Sequence, residues 1–230
     1  MQYLNPRVLV SVDLIRFTMK KANLSKISRV LELGVGDGSI VKQIVETLGI
    51  HCDIYGVDID EDALKLAKGK GILVSRADLN EDKLPYPDNY FDLVIMEEVI
   101  EHLINPDNAI KEVHRVLKPR GLLVISTPNL GWWVNRLVLL LGFQPYWTEV
   151  STRYNVGKLR RKLNEPLSGH LRLYTLPALT KLLNLYNIKP IECKGTTYNN
   201  TPKVINVIDR LLSMRTTLAQ ILVCIAMDFK

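Results

Sequence analysis

Between Arg29 and Ser126 the chain alternates short runs of Val, Ile and Leu with longer amphipathic stretches, and this alternation restricts the fold more than any other feature. The apolar runs fall at 29–33, 53–57, 72–74, 91–96 and 122–126. The stretches 41–48, 61–68 and 106–117 carry apolar residues at helical spacing instead. Because the runs are apolar at successive positions rather than alternate ones, their strands need cover on both faces. A parallel sheet with helices on each side supplies that cover, so a doubly wound α/β sheet is expected. Leu117 to Gly121, LKPRG, offers a Pro–Gly stop and turn ahead of the fifth strand.

After Pro128 the pattern changes. Gly131–Phe143 reads as an apolar helix, followed by a polar basic loop and a helix over 175–186 with Thr175 as its N-cap. Two further strands are predicted at 189–193 and 219–226, separated by an amphipathic segment built on Val204, Ile205, Val207, Ile208, Leu211 and Leu212. So long an excursion between the last two strands predicts an antiparallel hairpin closing the sheet edge. A chain of 230 residues suits one domain of this kind. We divide it into a core over 28–129, a cap insertion over 130–175 and a C-terminal helix with edge strands over 176–230.

Cys52, Cys193 and Cys224 are scattered without CxxC spacing, which supports neither a disulfide framework nor a zinc site and predicts a reducing, cytoplasmic setting. Asn5, Pro6, Arg7, Asp13 and Arg16 interrupt the apolar core that a signal peptide would need. The longest apolar stretches, 137–141 and 218–227, fall short of the roughly 20 residues that span a bilayer. The net charge of +6 is unevenly spread. Residues 1–128 hold 16 Lys+Arg against 19 Asp+Glu, whereas 129–230 hold 14 against 5. Arg153, Lys158, Arg160, Arg161 and Lys162 share one short window, able to attract phosphates, nucleic acid or anionic lipid, or simply to form a solvated face.

The first apolar run ends in VLELGVGDGSI, where Gly34, Gly36 and Gly38 form a turn into the next helix. In a doubly wound sheet ligands bind at such strand ends. Glycine there accepts positive φ and lets a ligand approach the backbone, while the helix N-terminus offers N–H groups to an anion. The spacing is GxGxG with Ser39 at the last fingerprint position, a departure from the GxGxxG of dinucleotide sites. Asp58, in YGVDID about 20 residues on, is placed to accept hydrogen bonds from ribose hydroxyls. Asp78, in SRADL, can meet an adenine amino group, with Leu79 beside it against the ring. Asp60 and Asp78 also stand where helix N-caps would.

Taken in order, ELGVGDG, VDID, ADL, FDLVIMEEVIEHL and LKPRGLLVISTPN resemble the successive motifs of class I S-adenosylmethionine-dependent methyltransferases over roughly 28–129. The EVIEHL and STPN variants are similar to the branch containing ubiquinone-biosynthesis O-methyltransferases and many small-molecule enzymes. The resemblance implies a Rossmann-like, mostly parallel seven-stranded sheet that binds S-adenosylmethionine. It implies that Glu32, Gly34, Gly36 and Gly38 surround the methionine portion, Asp58 the ribose, Ile59 and Leu79 the adenine faces and Asp78 the adenine amino group. Met96 would offer its backbone carbonyl to the cofactor's amino group.

Methyl transfer from a sulfonium proceeds by direct displacement, aided by alignment in a closed site, and leaves few side chains that sequence can mark. His102, in EVIEHL, and His170, in SGHLRLYT, are the candidates to remove an acceptor proton. No metal is assigned. HxxEH would need a histidine at position 98, where Glu98 stands, and no second ligand group to accompany Glu97, Glu98, Glu101 and His102 can be located. Tyr154 and Lys158 match the YxxxK of short-chain dehydrogenases, but Gly157 disfavours the helix such a pair occupies. Trp132, Trp133, Phe143, Tyr146 and Trp147 with Leu137–Leu141 supply an apolar cap, buried or dimer-forming, lining a pocket, or touching a membrane surface. The expected acceptor is an apolar or amphipathic small molecule, lipid or glycan precursor methylated on oxygen or nitrogen. Three other readings remain: an RNA methyltransferase, a non-catalytic cofactor-binding partner subunit and a nucleotide-dependent oxidoreductase. No appendage for RNA accompanies the basic half, so nucleic acid is not the expected partner.

Overall fold

The computed structural model describes residues 5–198, 208–209 and 211–230. The amphipathic repeat at Val204, Ile205 and Val207 lies outside them. The core strands are β1 (Arg29–Leu33), β2 (Asp53–Asp58), β3 (Leu73–Arg76), β4 (Phe91–Glu97) and β5 (Leu117–Pro128), joined by α2 (Ser39–Leu48), α3 (Glu61–Gly69) and α4 (Pro106–Val116). Beyond them come α5 (Trp133–Leu140), α6 (Leu176–Leu185), β6 (Ile188–Thr196) and β7 (Ile221–Asp228), and α1 (Pro6–Ala22) precedes the sheet. The seven strands lie in the order β3-β2-β1-β4-β5-β7-β6. The first five are parallel, and β7 runs antiparallel to both its neighbours. This is the doubly wound sheet with an antiparallel edge that the sequence pattern predicts.

Successive strand residues feed two cores. Leu31, Leu33, Val94, Met96, Leu123 and Ile125 pack with Ile110 and Val113 of α4 and Leu179 and Leu183 of α6. Val30, Leu93, Ile95, Leu122 and Val124 point the other way, onto Val41 and Ile44 of α2 and Leu64 of α3. Period-two alternation thus fills both faces, which is why the strands read as unbroken apolar runs.

One element lies outside the sequence expectations and two expectations need correction. Residues Pro6–Ala22 form α1, capped by the Asn5 side chain, which accepts from the Arg7 N–H, with Pro6 opening the helix. Its buried Val8, Val12 and Ile15 recur at i, i+4 and i+7 and join the second core. The LKPRG stop is no separate turn, because Leu117–Pro128 is one strand. The extra residues are absorbed as a register break opposite Phe91–Leu93, with Arg120 at φ +65°. Cys193 and Cys224, expected to be free, face each other across β6 and β7 and form a disulfide. Thirty-one residues separate them in the chain, and only the strand register shows that they meet.

Candidate active site

The C-terminal ends of β1, β2 and β4 open into a cleft of about 340 Å³. Gly34, Asp58, Ile59, Asp78, Leu79, Asn80, Glu98, Val99 and His102 are among its walls. Gly34, Gly36 and Gly38 all adopt positive φ, at +68°, +51° and +77°. Two of them are also sterically required: a Cβ on Gly34 would lie 2.4 Å from Val99, and one on Gly38 would lie 2.2 Å from Ile72. The turn is bound to the second strand by Asp58, whose Oδ2 accepts the Gly36 N–H at 2.8 Å and whose Oδ1 accepts the Asp60 N–H at 3.0 Å. Asp58 therefore braces the glycine loop while its remaining lone pairs stay available to a ligand.

Asp78 accepts hydrogen bonds from the Asn80 backbone and side chain and lines the cleft from the β3 side. It caps a turn, whereas Asp60 caps α3 through the N–H groups of Asp62 and Ala63. Ile59 is half exposed beside it, an apolar face left open at the cleft. Leu79 is nearly buried beneath. Glu32, Gly36, Gly38 and Met96 are not on the cleft wall. Met96 is fully buried with its side chain in the core, so only its backbone could serve a ligand. Burial, reinforced by the charge of Glu97, holds the Glu32 carboxyl well above its ordinary range.

Helix α1 closes the acidic end of β4, a role the sequence did not suggest. The Ser11 hydroxyl donates to Glu97 at 2.6 Å, and Arg7 lies 3.6 Å from Glu98. Glu98 sits at φ +56°, an unusual conformation for a residue with a side chain, and its carboxylate also accepts from the Tyr198 hydroxyl. Tyr198 belongs to an aromatic cluster with Trp147, which in turn packs on Trp132 and Tyr146. Both Trp132 and Trp133 donate their indole N–H to the buried Asp209, at 2.7 and 2.8 Å. The cap is thereby fastened to the C-terminal region and reaches the cleft through Tyr198 and Glu98. Tyr154 and Lys158 lie in the irregular part of the cap, not on a helix.

His102 and His170, 68 residues apart, are brought together with ring centres 4.8 Å apart. The backbone carbonyl of Glu101 accepts from the N–H groups of Leu171 and Arg172, at 2.8 and 3.1 Å, pinning the cap loop that carries His170. The side chain of Glu101 is fully buried. Thr127 donates to one of its oxygens at 3.0 Å, and the other has no partner among the described residues. Burial, then the neighbouring charge of Glu98, pushes its carboxyl up to about 8. Burial, then the nearby His102, pushes His170 down to about 4, so its imidazole is neutral at physiological pH. The grouping of Glu101, His102 and His170 escaped the sequence because nothing in EVIEHL shows which distant loop docks on it.

This sheet order, with a glycine turn after β1 and an acid at the end of β2, is the Rossmann-like fold of class I S-adenosylmethionine-dependent methyltransferases. Residues 31–125 match a family model described as "Methyltransferase domain". Among curated proteins, the ubiquinone/menaquinone biosynthesis C-methyltransferase UbiE of Burkholderia mallei is 29% identical over 120 residues, 50% of this chain and 49% of that protein. The match spans about half the length of that relative. Among solved structures, a SAM-dependent methyltransferase from Archaeoglobus fulgidus aligns with a TM-score of 0.59 at 22% identity, covering 96% of this chain and 94% of its own. A SAM-dependent methyltransferase from Methanosarcina mazei aligns with a TM-score of 0.62 at 17% identity, covering 92% and 97%. Among the described residues no helix is long and apolar enough to cross a membrane.

Proposed function

We propose that this protein transfers the methyl group of S-adenosylmethionine to an oxygen, or a nitrogen, of a small amphipathic acceptor. The observation that carries this reading is the cleft itself. Its glycine turn, Asp58 and Asp78 would hold the cofactor, and its far wall is formed by Glu98 and His102, directly under the cap. In the reaction an acceptor lone pair forms a bond to the methyl carbon while the carbon–sulfur bond breaks. Its electron pair goes to sulfur, and the acceptor's proton leaves to a base or to solvent. The chain's contribution is alignment and exclusion of water.

The cap supports an amphipathic acceptor. Its Trp132, Trp133, Tyr146 and Trp147 rings pack on one another, while Leu139, Leu140 and Leu141 at the end of α5 are 61%, 82% and 67% exposed. The basic loop lies alongside, since the Gln144 N–H donates to the Gly157 carbonyl and the Tyr146 hydroxyl to that of Leu159. An apolar ridge rimmed by cations suits a molecule with an apolar tail and a polar or acidic head, and it would also tolerate shallow contact with a membrane.

The test is transfer of isotopically labelled methyl from S-adenosylmethionine to phenols and hydroquinones with and without alkyl tails. Transfer that rises with tail length is expected, and tail-independent transfer would overturn the acceptor class. The relation to UbiE favours one other reading, methylation at carbon. The carbon-13 shift of the transferred methyl separates the two.

A further inference from the structure

We propose that a second cavity, at the opposite end of the sheet from the cleft, binds a small phosphate-bearing molecule. Its volume of about 570 Å³ falls within the range of small-ligand sites. Three segments meet around it: the entry to β1 with Lys26 and Ser28, the body of α2 with Lys42 and Val45, and the loop 50–53 that leads into β2. Gly49, at φ +71°, turns the chain back at the end of α2. Its N–H and that of Ile50 bond to the Val45 carbonyl, which occupies a helix-end oxygen that would otherwise repel an anion. Asp53 then donates its N–H to the Ser28 carbonyl and ties the loop to β1.

The lining is cationic in the acidic half of the chain. Lys65, Lys70 and Lys118 of that half each pair with an aspartate. Lys26 and Lys42 have no such partner among the described residues, and both line the cavity with His51. The neighbouring carboxylate of Asp92 is already taken up by Lys118 and by the N–H groups of Ser28 and Arg29. Asp53 is the one acid among the described residues that line the cavity, and it is exposed. The Ser28 hydroxyl and the N–H groups of His51 and Cys52 have no acceptor among the described residues. Burial, then the charge of Asp53, pushes the Cys52 thiol up, so it stays uncharged beside an anion. Two ammonium groups with several neutral donors suit a phosphate, whose oxygens take charge-assisted hydrogen bonds from each. A nucleotide and an inorganic diphosphate both carry that chemistry; with a nucleotide, Asp53 would accept from a sugar hydroxyl.

Strands β1 and β2 are five and six residues long, which places this cavity roughly 15–20 Å from the cleft at about 3.3 Å per residue. A ligand there touches neither the cofactor nor the acceptor, so the inference does not depend on the methyl-transfer reading.

The experiment is calorimetry with uridine 5′-monophosphate and, separately, with inorganic pyrophosphate, each with and without saturating S-adenosylhomocysteine. One saturable molecule per chain is expected for at least one probe, weakened about tenfold in Lys42→Ala and in Lys26→Ala. Alanine favours helix, so Lys42→Ala should keep α2, and Lys42→Glu is the second variant should it not. Tighter binding of the nucleotide names a nucleotide as the source, and equal or tighter binding of pyrophosphate names the bare diphosphate; either keeps the site. Cys52 reports the location, since it is the one free cysteine among the described residues. A saturating probe should slow its alkylation severalfold. Absence of saturable binding by both probes would overturn the site, as would equal affinity in folded variants of both lysines, displacement of the probe by S-adenosylhomocysteine, or an unprotected Cys52.

Discussion

Asp58→Asn is the substitution that best separates the two duties of that carboxylate. One oxygen accepts the Gly36 N–H at 2.8 Å and the other the Asp60 N–H at 3.0 Å, so alanine would loosen the glycine turn as well as remove the proposed ribose contact. Asparagine keeps the shape and one acceptor oxygen. It turns an NH₂ group toward either a backbone N–H or a ribose hydroxyl, and it removes the charge. A hydrogen bond to a charged group is worth about 1.5–3 kcal/mol net. Losing one at the ligand should weaken S-adenosylhomocysteine binding by about 10- to 150-fold, at about 1.4 kcal/mol per factor of ten. Asp58 is only partly buried, so the accompanying loss of stability should sit at the low end for an unmatched donor, about 1 kcal/mol. Calorimetry gives the first quantity and a denaturant melt the second. Affinity within about twofold of the parent, in a variant of unchanged stability, would refute Asp58 as the ribose acid.

Charge reversal of Arg160 and Arg161 to glutamate should lower acceptor kcat/KM severalfold, most at low salt, and leave S-adenosylhomocysteine affinity unchanged; equal activity on the identified acceptor would remove the basic rim from the acceptor site. Glu112 is shielded from water, which alone would raise its pKa, but the Arg115 guanidinium at 2.6 Å and the Leu84 N–H hold it below its ordinary value. A pKa lower in the folded state than in the unfolded one stabilises above the unfolded value and is lost as pH falls through the folded one. Stability should therefore decline on acidification below about pH 4.5, and Glu112→Gln should flatten that decline in pH-dependent denaturant melts. Reduction of Cys193–Cys224 opens a loop of 31 residues and should cost about 3 to 4 kcal/mol on the chain-entropy account; a melting temperature unaffected by dithiothreitol would show that the bond contributes nothing in solution.

The sheet was legible because its evidence is local. The strand ends predicted at Leu33, Val57 and Met96 lie within one residue of those observed, since Val- and Ile-rich runs bounded by glycine, acids or a helix cap have few other conformations open to them. The helix at the N-terminus was missed for the opposite reason. Its buried face mixes Val8, Val12, Leu14 and Ile15 with the polar Ser11 and Thr18, so the helical stripe is too diluted to stand out behind the Asn5–Pro6 start signal. The Leu117–Gly121 stop misled because proline and glycine also occur at bulges, where register against a neighbouring strand decides the outcome.

The site divides along the same line. The strand-end wall of the cleft was readable from residues at fixed offsets along successive strands, and Gly34, Asp58, Ile59, Asp78, Leu79 and His102 do share one cleft. The cap side depends on pairings across long stretches of chain: Glu98 with Tyr198 and Arg7, Trp132 and Trp133 with Asp209, and Glu101 with the loop of His170. No periodicity encodes such pairings, because each is set by where an irregular cap comes to rest. A fold that fixes its cofactor with consecutive βα turns and leaves its acceptor to one inserted segment can change acceptors by altering that segment alone. The boundary between the two is where the Glu101 carbonyl accepts the cap's backbone N–H groups beside the paired rings of His102 and His170, so a change in the inserted segment would be felt first there.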